Sequence, residues 1–265
     1  MARRKSTPPR HSHRKSANSK PANAATWYYG IHTVTAVLAN PARRYSKIVA
    51  CDPSVVAQIG SAVIDSTQTV VESVSREALD AMLPDGAVHQ GIAVLAAPLA
   101  DVSLDDICDQ ISDQPQTPVI VLDQVSDPHN IGAIIRTAAA FQALAVVVQD
   151  RHTPPVTGVL AKAASGGVEH CPIVRVTNVA RAVETLKRAG VWCIGLDSEA
   201  TQTLRQAKVS GPTALVLGAE GGGLRRLTRD TCDALAAIPH SGPLASLNVS
   251  NAAAIALYEI TQTEN

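Results

Sequence analysis

Aromatic side chains make up only 3% of this sequence, with a single phenylalanine, while 46% of it is apolar. An interior with so few rings must be packed from Ala, Val, Leu and Ile, which suits helices laid on a sheet. Long apolar runs are also missing. The uninterrupted ones fall well short of the roughly 20 residues that cross a bilayer, so no transmembrane helix and no membrane partner are expected. The five cysteines (Cys51, Cys108, Cys171, Cys193 and Cys232) are odd in number and scattered, without a C-x-x-C. That pattern excludes a disulfide framework and a zinc-site spacing, fits a reducing cytoplasm, and leaves no metal expected. No glycine run is followed by Lys-Ser or Lys-Thr, which excludes a P-loop. No G-x-G-x-x-G follows a first strand either, which excludes a Rossmann fingerprint.

Residues 1–26 lack acids altogether and carry seven Lys/Arg, so all 23 Asp/Glu fall in the remainder, which is therefore acidic despite the formal net charge of +0. The same segment has no Leu, Ile, Val or Phe and cannot bury a core, so it is expected to be a disordered basic tail. It has no apolar h-region and no amphipathic arginine helix, which argues against a targeting peptide. Two readings of the tail stand: an arm adding phosphate contacts on RNA, and a solubilising extension.

What is present follows an α/β rhythm. Residues 27–97 predict a small α/β domain. Its helices fall at 31–38 and 76–83, the second capped by Ser75, and its strands at 47–51, 69–74 and 91–97. His89-Gln90 at the entry of the last strand is read as making turn hydrogen bonds. Residues 98–117 hold five Asp, no Lys or Arg, and prolines at or beside both ends, and are expected to be an acidic linker with one short helix. From residue 118 to 265, strands at 119–122, 144–148, 172–176, 191–196 and 214–217 alternate with helices at 131–141, 156–164 and 179–189. A short strand reaching Ile238 and a helix starting near Asn248 complete a mostly parallel sheet covered on both sides.

The polar groups at the strand ends need explaining. Arg136 sits in a helix apolar nearly all round and is expected to be buried. It is then either ion-paired with Asp123 or Glu220, or aimed at a phosphate or developing oxyanion. Asn130 stands where an N-cap belongs. Glu220 lies between glycines on a loop, and Ser246, Asn248 and Ser250 fit as caps of the last helix. Together they suggest a pocket at strand ends.

Three ordered motifs then resemble one family. Asn130-Ile-Gly-Ala-Ile-Ile-Arg136-Thr-Ala, Leu217-Gly-Ala-Glu-Gly-Gly-Gly-Leu224 and Ile238-Pro-His-Ser-Gly-Pro-Leu-Ala-Ser-Leu-Asn-Val-Ser250 are similar to the signatures of SpoU (TrmH-type) RNA ribose 2′-O-methyltransferases. Tyr29-Gly-Ile-His32 and Asp85-Gly-Ala-Val-His-Gln-Gly-Ile92 resemble the L30e-like domain of the family's large-subunit rRNA guanosine methyltransferases. The likeness runs from about residue 28 to 260. It implies a C-terminal SPOUT α/β-knot, a deep trefoil knot in a mostly parallel sheet, preceded by a small L30e-like RNA-binding domain. It also implies a homodimer and S-adenosylmethionine bound by main chain around Leu217, Gly218, Ile238 and Leu247, with Ser246 nearby. Asn130, Arg136, Glu220 and Asn248, with Ser246 beside them, would line the reaction site. The implied substrate is a guanosine ribose in the peptidyl-transferase region of 23S-type rRNA. A tRNA or another rRNA nucleotide, or a non-catalytic RNA-binding role in ribosome assembly, are the competing readings. The sequence departs from the family pattern at Gln142, Gly222, His240 and Asn251, of which His240 and Asn251 bear on the pocket wall.

Overall fold

The structure, a computed structural model, describes residues 25–60, 63–64, 69–114, 116–243 and 246–262. The basic tail expected over 1–26 lies almost wholly outside the described residues. Its last two positions are described, and Thr26 already opens the first strand.

The first sheet has four strands, β1 (Thr26–Tyr29), β2 (Tyr45–Ala50), β3 (Val71–Ser73) and β4 (Ile92–Ala96), in the order β1-β4-β2-β3. β4 pairs antiparallel with both β1 and β2, while β3 adds in parallel to β2. Helices α1 (Ile31–Ala39), α2 (Pro53–Ile59) and α3 (Arg76–Met82) belong to this part of the chain. Two of them start on side-chain caps: Asp52 accepts from the Ser54 amide, and Ser75 from that of Ala78.

The acidic segment contains α4 (Leu104–Ile111), opened by a Ser103/Asp106 capping box. Its acids face solvent, whereas Ile107 and Ile111 are buried against the second sheet. Helical spacing thus turns an acidic stretch into one wall of a core.

That second sheet has six strands: β5 (Val119–Asp123), β6 (Ala145–Gln149), β7 (Ile173–Val176), β8 (Trp192–Leu196), β9 (Thr213–Gly218) and β10 (Ala234–Ala236). They run in the order β10-β8-β9-β5-β6-β7, and every neighbouring pair is parallel. Runs such as Val119-Ile-Val-Leu and Ala145-Val-Val-Val are apolar on both faces because helices cover both. The pleat divides them. Ile120, Leu122, Leu215 and Leu217 enter one core with α5 (Pro128–Ala140) and α10 (Val249–Thr261). Val119, Val121, Ala214 and Val216 enter the other, with α4 and α7 (Val179–Arg188). Shorter helices α6 (Gly158–Ala164), α8 (Leu204–Ala207) and α9 (Arg226–Thr231), and a 3-10 turn at Gly167–Glu169, fill the connections.

The chain path after β9 matters for the site. It crosses to the far side of β8 to form β10, then returns as α10 to pack on β9 and α5. Because the sheet is parallel, all carboxyl ends lie on one edge, and the loops after β5, β9 and β10 meet there.

Candidate active site

The loop after β9 is shaped by what glycine permits. A methyl group on Gly218 would stand 2.0 Å from the Gly223 carbonyl carbon, so the chain folds back directly over bare backbone. Gly223 N–H donates to the Ala219 carbonyl at 2.8 Å, and Gly221 and Gly223 take positive φ of 74° and 61°. Immediately after the loop, Arg225 locks onto Asp123 at the end of β5. Its Nε and Nη2 donate to Asp123 Oδ1 at 2.8 and 2.6 Å, and its amide donates to Oδ2 at 3.1 Å. The Asp123 carboxylate is fully buried, so this pair anchors the returning loop to the sheet.

The loop presents Glu220 to two amides from other elements. Asn130 Nδ2 donates to Glu220 Oε1 at 3.1 Å, and Asn248 Nδ2 donates to the same oxygen at 2.5 Å. Asn248 Nδ2 also donates to Asn130 Oδ1 at 3.1 Å, which closes a triangle. Asn248 is the N-cap of α10: its Oδ1 accepts from the Ser250 amide at 2.9 Å and the Ser250 hydroxyl at 2.6 Å. Glu220 and Asn248 are solvent-exposed and Asn130 is half-buried, so the triangle is open to a ligand.

Two readings of the sequence are corrected here. Asn130 is not the N-cap of α5. Asp127 is, accepting from the His129 amide at 3.0 Å with Pro128 as the first helical residue. Asn130 therefore sits in the first turn, where its side chain is free to meet Glu220. Arg136 is exposed rather than buried, and it pairs with neither Asp123 nor Glu220, whose partners are Arg225, Asn130 and Asn248. Six residues along a helix from Asn130 are about 9 Å of rise and about 240° of rotation, which puts Arg136 on another face. The structure thus brings together Asn130, Glu220 and Asn248 and leaves Arg136 apart.

The remaining positions named from the sequence lie on the surrounding loops. Leu217 is buried in β9, Gly218, Ile238 and Leu247 are half-buried, and Ser246 is exposed. Ile238 and Pro239, with Leu204 and Ile255, line a hollow of about 290 Å³. His240 turns its Nδ1 to the Ile238 carbonyl at 3.0 Å. Sequence reasoning missed Arg225, although its place directly after a glycine loop, with an acid ending the neighbouring strand, was a usable signal. Among the described residues, no group of three or more His, Cys, Asp or Glu gathers as a metal site. Burial pushes the thiols of Cys171 and of half-buried Cys232 up to about 12 and that of Cys193 higher still, which keeps them protonated. The arrangement is suited to holding and orienting a polar group at a strand edge, not to thiolate chemistry.

Known proteins resemble this chain over most of its length. The SpoU rRNA Methylase family matches residues 117–258, and the family described as RNA 2'-O ribose methyltransferase substrate binding matches residues 27–102. The 23S rRNA (guanosine-2'-O-)-methyltransferase RlmB of Vibrio cholerae is 39% identical over 235 residues, covering 87% of this chain and 94% of that protein. The protein of the same name from Escherichia coli K12 is also 39% identical over 235 residues, covering 87% and 96%. An AdoMet-bound rRNA methyltransferase from Sinorhizobium meliloti superposes with a TM-score of 0.70 at 25% identity, over 89% of this chain and 87% of that one.

Proposed function

This chain belongs to the SpoU rRNA methylase family, and from that premise we propose that it is an S-adenosylmethionine-dependent RNA ribose 2′-O-methyltransferase. Its proposed target is a guanosine of 23S-type rRNA, the class of substrate named for its RlmB relatives, and within that RNA the proposal is the peptidyl-transferase region. The observation that carries the reading is the Asn130–Glu220–Asn248 triangle at the carboxyl edge of a parallel sheet, beside a glycine loop.

The residues fit the cofactor. An adenosine with a methionine tail takes apolar walls and main-chain amides and carbonyls. The half-buried side chains of Ile238 and Leu247 are offered as walls, and the main chain at Leu217 and Gly218, where β9 ends, as the source of amides and carbonyls. Ser246 adds a hydroxyl beside them. When bound, the cofactor supplies a methyl group on a sulfonium for in-line transfer to a ribose oxygen.

The chain's own contribution is alignment and charge. Glu220, held by two amides, and Asn130 and Asn248 offer acceptors and donors of the kind that orient ribose hydroxyls. Arg136 is assigned the stabilisation of the 2′-oxygen as its proton leaves. It is not the base, because a guanidinium stays protonated; water or a phosphate takes the proton. Since Arg136 lies on another face of α5 from Asn130, the reading includes a homodimer in which a second copy brings its Arg136 to this triangle. The return of α10 across β9, after β10 has passed outside β8, is the feature that supports a trefoil-knotted threading. Residues 27–97 serve as the RNA-binding domain, 98–117 as the acidic connection, and 118–265 as the methyltransferase domain. The proposed cellular place, the cytoplasm, follows from the rRNA substrate; among the described residues no helix is long and apolar enough to cross a membrane.

Ribose-methylation mapping of total rRNA and tRNA, with and without the gene, tests this directly. Loss of one large-subunit guanosine mark is expected. An unchanged map would instead favour a non-catalytic ribosome-assembly role, and loss of a tRNA mark would move the target.

A further inference from the structure

The first sheet unit is not strung loosely on the second; the two share a buried polar lock. Glu169 ends the 3-10 turn, and its side chain is 2% exposed against 1% for Arg43. Arg43 Nη2 donates to Glu169 Oε1 at 2.6 Å, and Arg43 Nε donates to Oε2 at 3.1 Å. Asn40 Nδ2, from the end of α1, adds a bond to Oε2 at 2.7 Å. The third arm of the guanidinium, Nη1, donates to the Ala97 carbonyl at 2.6 Å, just where the chain leaves β4 for the acidic segment. The Tyr28 ring lies 4.8 Å from the guanidinium carbon. Every nitrogen of Arg43 is therefore engaged, in the planar fork that suits a carboxylate.

Backbone contact surrounds the lock. A methyl group on Gly158 would fall 2.4 Å from the Trp27 carbonyl oxygen, and one on Gly166 would fall 2.8 Å from Ala36 Cβ. Thr33 donates its hydroxyl to the Ala161 carbonyl, and Lys162 donates to Gln90 Oε1, which also accepts the Ile31 amide at the start of α1. Ala161 and Val156 belong to the apolar cluster of the first sheet. The same 3-10 turn packs against the backbone of α5 that carries Arg136: a methyl group on Gly167 would be 3.1 Å from the Arg136 Cα.

A buried ion pair is a poor way to add stability, since its desolvation offsets its attraction, but it tolerates only one geometry. Two units in one chain move relative to each other by default unless their interface forbids it. We propose that Glu169 is a positioning residue for methyl transfer: through Arg43 and Asn40 it fixes the RNA-binding unit, at one distance and orientation, on the turn that buttresses Arg136. The inference rests on the RNA methyltransferase reading. Its ligand-independent half, the docking itself, stands or falls separately.

The test compares wild type with Glu169→Gln and with the apolar double variant Arg43→Met/Glu169→Leu. The double variant removes both charges together, so no charge is left stranded as in a single substitution, and a thermal melt checks that it is folded. Small-angle X-ray scattering reads undocking as a larger maximum dimension, and steady-state kinetics on 23S rRNA reads its consequence. If undocking leaves about a tenth of molecules binding-competent, KM for RNA rises about tenfold, with kcat held within about twofold. Cofactor affinity is expected to be unchanged. A folded double variant with wild-type scattering and wild-type KM overturns the proposal. So does a fall in kcat that merely tracks lost thermal stability, with KM unmoved. If wild type itself transfers no methyl group to rRNA, the parent reading fails, while the scattering comparison still decides whether Glu169 holds the two units together.

Discussion

Asn248 uses its carbonyl oxygen to cap α10 and its amide nitrogen to hold Glu220 and Asn130. The two roles separate in Asn248→Ser. Serine is as good an N-cap as asparagine, so stability is expected to stay within about 0.5 kcal/mol. Its hydroxyl is too short to replace both amide bonds, so Glu220 loses its closest partner and methyl transfer is expected to fall about tenfold or more. Thermal melts and single-turnover methylation on the same preparation check both halves. Unchanged turnover would mean that the triangle is only a helix start. At this scale the sequence was half legible. Asn130, Glu220 and Asn248 stood out because each is a polar group on a loop or helix start that follows a strand. Their mutual bonding did not, because it joins positions 90 and 118 residues apart. Arg136 was misread for a physical reason. The residues sharing its side of α5, Ala133 and Ala140, are small and apolar, so the helix looks buried all round, yet Ala140 and Arg136 face solvent.

Elements were legible where periodicity was long and obscure where it was short. The central strands are continuous apolar runs, and α5, α7 and α10 carry three turns or so of clear pattern. α8, with four residues, is too brief for any period, although its Thr203/Gln206 capping box is written in the sequence. β1 is hidden in the sequence because its four residues, Thr26–Tyr29, directly follow a polar stretch and are too few to show a period. The packing of α5 on α6 also escapes sequence, because it depends on an absent side chain. A methyl group at Gly132 would lie 2.5 Å from Ala163 Cβ and 2.7 Å from the Leu160 carbonyl oxygen. On an isolated helix Gly→Ala is worth up to about 1 kcal/mol in favour of folding. Here overpacking reverses the sign, and Gly132→Ala is expected to destabilise by about 1–3 kcal/mol. Chemical denaturation against wild type measures it. A more stable Gly132→Ala would show that the two helices can separate without cost.

At the scale of the whole molecule, the separation of Arg136 from the triangle makes a prediction about assembly. On one α5 the two groups differ by about 240° around the axis, so one copy alone does not put the guanidinium where Asn130 and Glu220 stand. In a two-fold dimer each copy presents the same surface to the other, so an Arg136 that crosses would complete both sites at once. Arg136→Ala and Glu220→Ala are each expected to be nearly inactive as pure preparations. Mixed after denaturation and refolding together, they behave differently according to the geometry. If the sites are shared, each mixed dimer has one site carrying both defects and one carrying none. Random pairing makes about half of the dimers mixed, so roughly a quarter of wild-type activity is expected to return. If each copy uses its own Arg136, every site in the mixture carries one defect, and no activity returns. Native mass spectrometry of the mixture confirms that mixed dimers have formed, so silence from the assay would count against the shared site and not against the mixing.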